Sequence, residues 1–136
     1  MRTVEVSRKI GAPPAEIRHH VDPATLIELE GTFAVVDVSE GEEQTTITAR
    51  GGGMEVEFVF EETADGYRYE QAGKAGPFEA METEFSIRAK DEGSIVAMVS
   101  AVELGLPVAA VSDRVAGWKR RGELKRALKQ LARDLD

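Results

Sequence analysis

Hydrophobic and polar positions alternate along the first three quarters of the chain, then recur at helical spacing to its end. Val4, Val6 and Ile10 share one face of Thr3 to Ile10, as in a half-buried strand. Gly11 stops that strand. Pro13 and Pro14 suit the first turn of a helix, where a missing N–H costs nothing, and predict a short helix from Pro14 to Val21. Asp22-Pro23 breaks it, with Asp22 placed to cap a second short helix running to Glu30.

From Thr32 to Leu104 the period is two. Strands are predicted at Phe33 to Ser39, Gln44 to Arg50, Met54 to Glu61, Tyr67 to Gln71, Met81 to Arg88 and Ser94 to Leu104. Between them lie Glu40-Gly41-Glu42, Gly51-Gly52-Gly53, Asp65-Gly66 and Asp91-Glu92-Gly93, all turn formers. Met54, Val56, Phe58 and Phe60 alternate with Glu55, Glu57, Val59 and Glu61. One face therefore meets a core and the other meets water, as in an antiparallel sheet covered on one side.

Pro107 opens a long terminal helix. Val108, Val111, Val115 and Trp118 form one apolar stripe; Leu124, Leu128, Leu131 and Leu135 form another, about half a turn away. Gly117 and Gly122 sit at the changeover, so the sequence predicts a bend or short break there. The first half would roof a hollow and the second would pack on the sheet.

Composition narrows the function. The 136 residues contain no cysteine, which excludes disulfides and thiolate metal sites. No apolar run approaches the roughly 20 residues of a membrane span, and the alternating N-terminus lacks a signal-peptide stretch. A cytoplasmic protein that does not insert into membranes is the expectation. The formal charge of −8 opposes general affinity for nucleic acid or anionic lipid. An acidic surface with more arginine than lysine also fits a high-salt, halophilic host. The charge reverses locally from Lys119 onward, where seven basic residues face three acidic ones. Lys119, Lys125, Arg126, Lys129 and Arg133 lie opposite the leucine stripe, as a solvated helix back or a docking face.

Catalytic signals are few. Glu16 and His19 have helical E-x-x-H spacing, but no second cluster completes a metal site, and His19 and His20 read as surface residues. Gly51-Gly52-Gly53 precedes a strand, which fits a hairpin and not a phosphate cradle. No G-x-S-x-G elbow occurs. No catalytic residue, metal or cofactor is assigned.

The order of elements, with Ala12-Pro13, Ile17, Val21, Asp22-Pro23 and Leu26 near the start and LKRALKQLARDLD at the end, resembles the START-like (SRPBCC) superfamily. The likeness is nearest to its polyketide cyclase/dehydrase-like branch and extends over residues 1–136. The resemblance implies an α+β helix-grip fold: a seven-stranded curved antiparallel sheet around a long C-terminal helix, with two short helices after the first strand. It also implies one domain with an internal apolar cavity. The candidate lining is then Met54, Phe58, Phe60, Tyr69, Met81, Phe85, Met98, Val111, Val115 and Trp118, beneath the bent helix. The loops at Gly51-Gly52-Gly53 and Gln71 to Pro77 would frame its mouth. A buried Tyr69 phenol needs a hydrogen-bond partner, a backbone carbonyl or a ligand. The expected function is binding of a hydrophobic small molecule or lipid. A cyclase or dehydratase using the same cavity, and an interaction domain docking through the sheet or the basic helix face, are the alternatives. Oligomeric state and ligand identity stay open.

Overall fold

The computed structural model describes residues 2–72, 78–103 and 109–135, with the backbone only for residues 109–113. Its elements are β1 (Arg2–Ile10), α1 (Pro14–His20), α2 (Pro23–Glu30), β2 (Ala34–Glu40), β3 (Thr45–Gly51), β4 (Met54–Glu62), β5 (Gly66–Gln71), β6 (Ala80–Lys90), β7 (Gly93–Glu103) and α3 (Ala109–Leu135). All neighbouring strands are antiparallel, in the order β1-β7-β6-β5-β4-β3-β2. The meander from β2 to β7 is thus joined at its far side by β1, and the curved sheet holds α3 across β1 and β7 and against α2.

The predicted turns form for the predicted reasons. Gly52 and Gly53 take φ of 58° and 79°, the left-handed pair that a two-residue hairpin needs, and Gly51 pairs with Met54. The Asp22 carboxylate accepts the Thr25 N–H at 2.8 Å and caps α2. Gly31, with φ of 79°, ends that helix. Arg126 of α3 donates to the Glu30 carbonyl at 2.8 Å, which satisfies an end group of α2 and ties the two helices together.

Alternation decides the core. Val56, Phe58 and Phe60 of β4 are buried, as are Met81, Thr83, Phe85 and Ile87 of β6 and Val96, Met98, Ser100 and Val102 of β7. Edge strand β2 is the exception. Its register slips between Val35 and Asp37, and Val36 and Val38 face solvent.

The expectations for α3 need correction. It runs as one helix from Ala109 to Leu135, so there is no break at Gly117–Gly122. Its buried side carries Ala116, Arg120, Glu123, Leu124, Ala127, Leu128 and Leu131. Four residues back from Leu124 is a rotation of about 40°, so the leucine stripe continues through Arg120 and not through the valines. Val115 and Trp118 consequently point outward, at 51% and 80% exposure. Gly117 has its own reason: a Cβ there would lie 2.6 Å from the Arg2 Cγ, so its absence lets α3 settle onto β1. Pro107 and Val108 lie outside the described residues, as does the Val111 side chain.

Candidate functional site

Three inward polar residues line up across the sheet. Tyr69 of β5 pairs with Thr83 of β6, and Thr83 with Ser100 of β7, so a phenol and two hydroxyls form one row. Arg120 reaches down from α3 onto this row at 2% exposure. Its Nε donates to the Ser100 Oγ at 3.0 Å. Its Nη2 donates to the Thr83 Oγ1 at 2.8 Å and the Tyr69 hydroxyl at 3.0 Å. Its Nη1 donates to a Glu30 carboxylate oxygen and, at 3.3 Å, to Glu123 one turn further along α3.

A guanidinium has five N–H donors. All five are matched within this cluster, and the guanidinium carbon lies 5.9 Å from the centre of the Tyr69 ring.

The carboxylates are held just as closely. Glu30, the last residue of α2, accepts the Tyr69 hydroxyl at 2.7 Å on its other oxygen. Glu123 accepts from the Thr32 hydroxyl in the link to β2, and Lys119 approaches it from the solvent side at 3.7 Å. Both carboxyl groups are nearly fully buried. Such a cluster is costly to desolvate and persists only when its members satisfy one another.

The electrostatics follow from that burial. Desolvation raises the pKa of Glu30, although Arg120 and the Tyr69 hydrogen bond pull it down. Burial, then the adjacent Glu30, pushes the Tyr69 phenol well above its ordinary value. Burial works to lower the Arg120 pKa, but Glu30, Tyr69 and Glu123 outweigh it, and the guanidinium stays charged.

The cluster forms one end of a cleft. Ile27, Phe33, Phe58, Phe78 and Met81 are its apolar wall; Glu30, Thr32, Gln71, Arg120 and Glu123 are its polar end. Phe33 and Phe58 meet edge to face at 6.1 Å. The free volume is about 10 Å³, room for about one water molecule. Roomier hollows of about 410 and 620 Å³ flank Tyr67, but they lie open at the surface and have no buried polar cluster behind them.

Of the residues expected to line a cavity, Phe58 and Met81 do so. Phe60, Tyr69, Phe85 and Met98 are buried but lie outside the lining, with Phe60 stacked on Tyr69 at 4.4 Å. Met54 is 37% exposed beside its hairpin, and Val115 and Trp118 face solvent. Tyr69 donates to a buried carboxylate, not to a backbone carbonyl. His19 and His20 lie at the surface, with the His20 Nε2 3.5 Å from Asp134. Of the proposed mouth loop, residues 73–77 lie outside the described residues.

Glu30, Thr32, Arg120 and Glu123 were missed, as were Ile27, Phe33 and Phe78. For Arg120 a signal existed, since it continues the leucine stripe. For Glu30, at the end of a one-sided eight-residue helix, none did.

Comparison with known proteins places this geometry. No curated protein matches the sequence significantly. Among solved structures, a START superfamily protein from Mycobacterium smegmatis superposes with a TM-score of 0.70 at 16% identity, with both chains fully covered. The protein XoxI from Bacillus cereus gives 0.78 at 15% identity, covering 99% of this chain and 96% of that one. The di-domain ARO/CYC BexL of the BE-7585A biosynthetic pathway gives 0.72 at 17% identity, covering 98% of this chain and 49% of BexL. These likenesses establish a START-type helix-grip fold. Among the described residues no helix is long and apolar enough to cross a membrane. Residues 1–136 match the family described as polyketide cyclase / dehydrase and lipid transport, and the chain belongs to that family.

Proposed function

We propose that the protein binds a small hydrophobic molecule in the cleft between its sheet and α3, with the molecule's polar end donating hydrogen bonds to Glu30 and Glu123. The observation that carries this reading is the composition of the cleft's inner end. An aromatic and aliphatic wall terminates on two buried carboxyl groups. The neighbouring cation has no N–H left to offer a ligand. Such an end favours an amine or hydroxyl and disfavours a carboxylate, because an incoming anion would meet two carboxyl groups and a guanidinium whose N–H groups are already taken. The family's general character, ligand binding within this fold, supports the reading.

The cleft has room for only about one water molecule, so a bicyclic ligand requires its walls to part. Burying about 200 Å² of a bicyclic aromatic ligand yields roughly 5 kcal/mol before the cost of association. Modest affinity is expected for a non-native ligand. Native mass spectrometry with naphthylmethylamine, naphthylmethanol and naphthoate provides the test. The amine and alcohol should be retained one per chain and the acid at least tenfold more weakly. Tightest binding of the acid would overturn the polarity; a bare chain with all three would overturn the binding itself.

A second reading, a cyclase or dehydratase, draws on Glu30. A carboxyl group with a raised pKa at the edge of a cleft, hydrogen-bonded to Tyr69, is suited to hold and pass a proton. A ligand recovered with changed mass, and recovered unchanged from Glu30→Gln, would favour this reading.

A further inference from the structure

We propose that the outward face of α3 docks the protein on the surface of an anionic membrane. Trp118, the only tryptophan in the chain, is 80% exposed at the centre of this face, and Val115 beside it is 51% exposed. At about 100° per residue, Arg114, Arg121, Lys125 and Lys129 all fall within about 60° of Trp118. All four are exposed. Among the described residues no carboxylate shares the sector.

The protein has 25 carboxylates for its 17 basic residues, and surface cations elsewhere include Lys9, paired with Asp91, Arg50, paired with Glu55, and Arg68, paired with Glu61 and Glu82. On α3, Lys119 and Arg120 pair with carboxylates. Arg114, Arg121, Lys125 and Lys129 form no ion pair with another described residue. Four unpaired cations around an exposed tryptophan match the composition of a helix that lies in a bilayer interface, indole among the headgroups and basic side chains against lipid phosphates.

Charge complementarity points to an anionic lipid surface. The acidic remainder of the molecule is repelled by it, so only this face approaches. A nucleic acid would satisfy the cations but offers Val115 little apolar surface. It would also press the acidic flanks against phosphates.

Trp118 reports on its own docking. Purified protein is mixed with vesicles of phosphatidylcholine alone, or of phosphatidylcholine with a third phosphatidylserine. The expected result is a blue shift of tryptophan emission and co-sedimentation with the anionic vesicles only, both diminished by salt. Lys125→Ala with Lys129→Ala should weaken binding about twenty-five-fold, at roughly a fivefold loss per cation. Arg88→Ala with Lys90→Ala, exposed elsewhere, should leave it within twofold. Emission unmoved by anionic vesicles, an equal shift on neutral ones, or tighter binding to a short DNA duplex would each overturn the proposal.

Discussion

Arg120→Met removes the cation on which the interior cluster converges while keeping a long, unbranched side chain. Five N–H donors disappear, and Glu30 and Glu123 remain 5% and 4% exposed with no charge between them. Breaking a buried pair from one side costs about 3–5 kcal/mol. Part of this is recovered, because Thr83 and Ser100 still bond each other at 2.7 Å and Tyr69 still donates to Glu30. A net loss of about 3 kcal/mol is expected, a large share of the 5–15 kcal/mol typical of a domain. With a urea slope of about 1.5 kcal/mol per molar, the midpoint should fall by about 2 M, read by circular dichroism. Two further results identify the cause. Glu30→Gln added to Arg120→Met should restore part of the loss, since it removes one orphaned carboxylate. The deficit should also shrink between about pH 8 and pH 5, because protonation neutralises a carboxyl group that has lost its cation. A midpoint shift below about 0.5 M, or a deficit independent of pH, would refute the reasoning.

Other perturbations follow from the same geometry. Burial raises the pKa of Glu30, so the native state holds its proton more tightly than the unfolded chain does. Its contribution to stability is therefore full below the unfolded pKa and declines as pH rises through the native one. Glu30→Gln should flatten that decline in urea midpoints taken across the acidic to neutral range; parallel curves would contradict it. Gly122→Ala should raise stability by about 1 kcal/mol, because nothing lies within 4 Å of the added Cβ and alanine favours helix. Gly66→Ala should lower the melting temperature, since its Cβ would lie 2.1 Å from the Phe85 carbonyl oxygen. With 25 acidic residues against 17 basic ones, the melting temperature should rise with KCl. A flat response would remove the halophilic reading.

The sheet was readable because alternation is a strong signal where one face is buried and the other carries charge. β4 shows this best, with Val56, Phe58 and Phe60 inside and Glu55, Glu57 and Glu61 outside. The turns were readable because only certain residues adopt their backbone, as at Gly52 and Gly53. The face of α3 was misread for a related reason. A search for apolar stripes selects Val115 and Trp118, whereas the true face passes through Arg120 and Glu123, which pair with each other one turn apart, while Arg120 also pairs with Glu30 from another element. Glu30 is 90 residues from Arg120, and nothing local to either announces the other. Thr83 and Ser100 stand at buried positions of β6 and β7, and their meaning depends on strand register. The polar end of the cleft was therefore illegible, and its apolar wall was legible only in part, at Phe58 and Met81 but not at Ile27, Phe33 or Phe78.

The most direct test of the central claim uses the methyl groups of the methionines as reporters inside the protein. Met81 lines the cleft, Met98 is fully buried outside its lining, and Met54 is exposed at the β3–β4 hairpin. In a protein labelled with carbon-13 at its methionine methyls, titration with naphthylmethylamine should move the Met81 resonance progressively and saturably. Met54 and Met98 should stay nearly still. Shifts confined to Met54, or no shift at Met81 while ligand is bound, would show that the molecule is taken up somewhere other than the cleft.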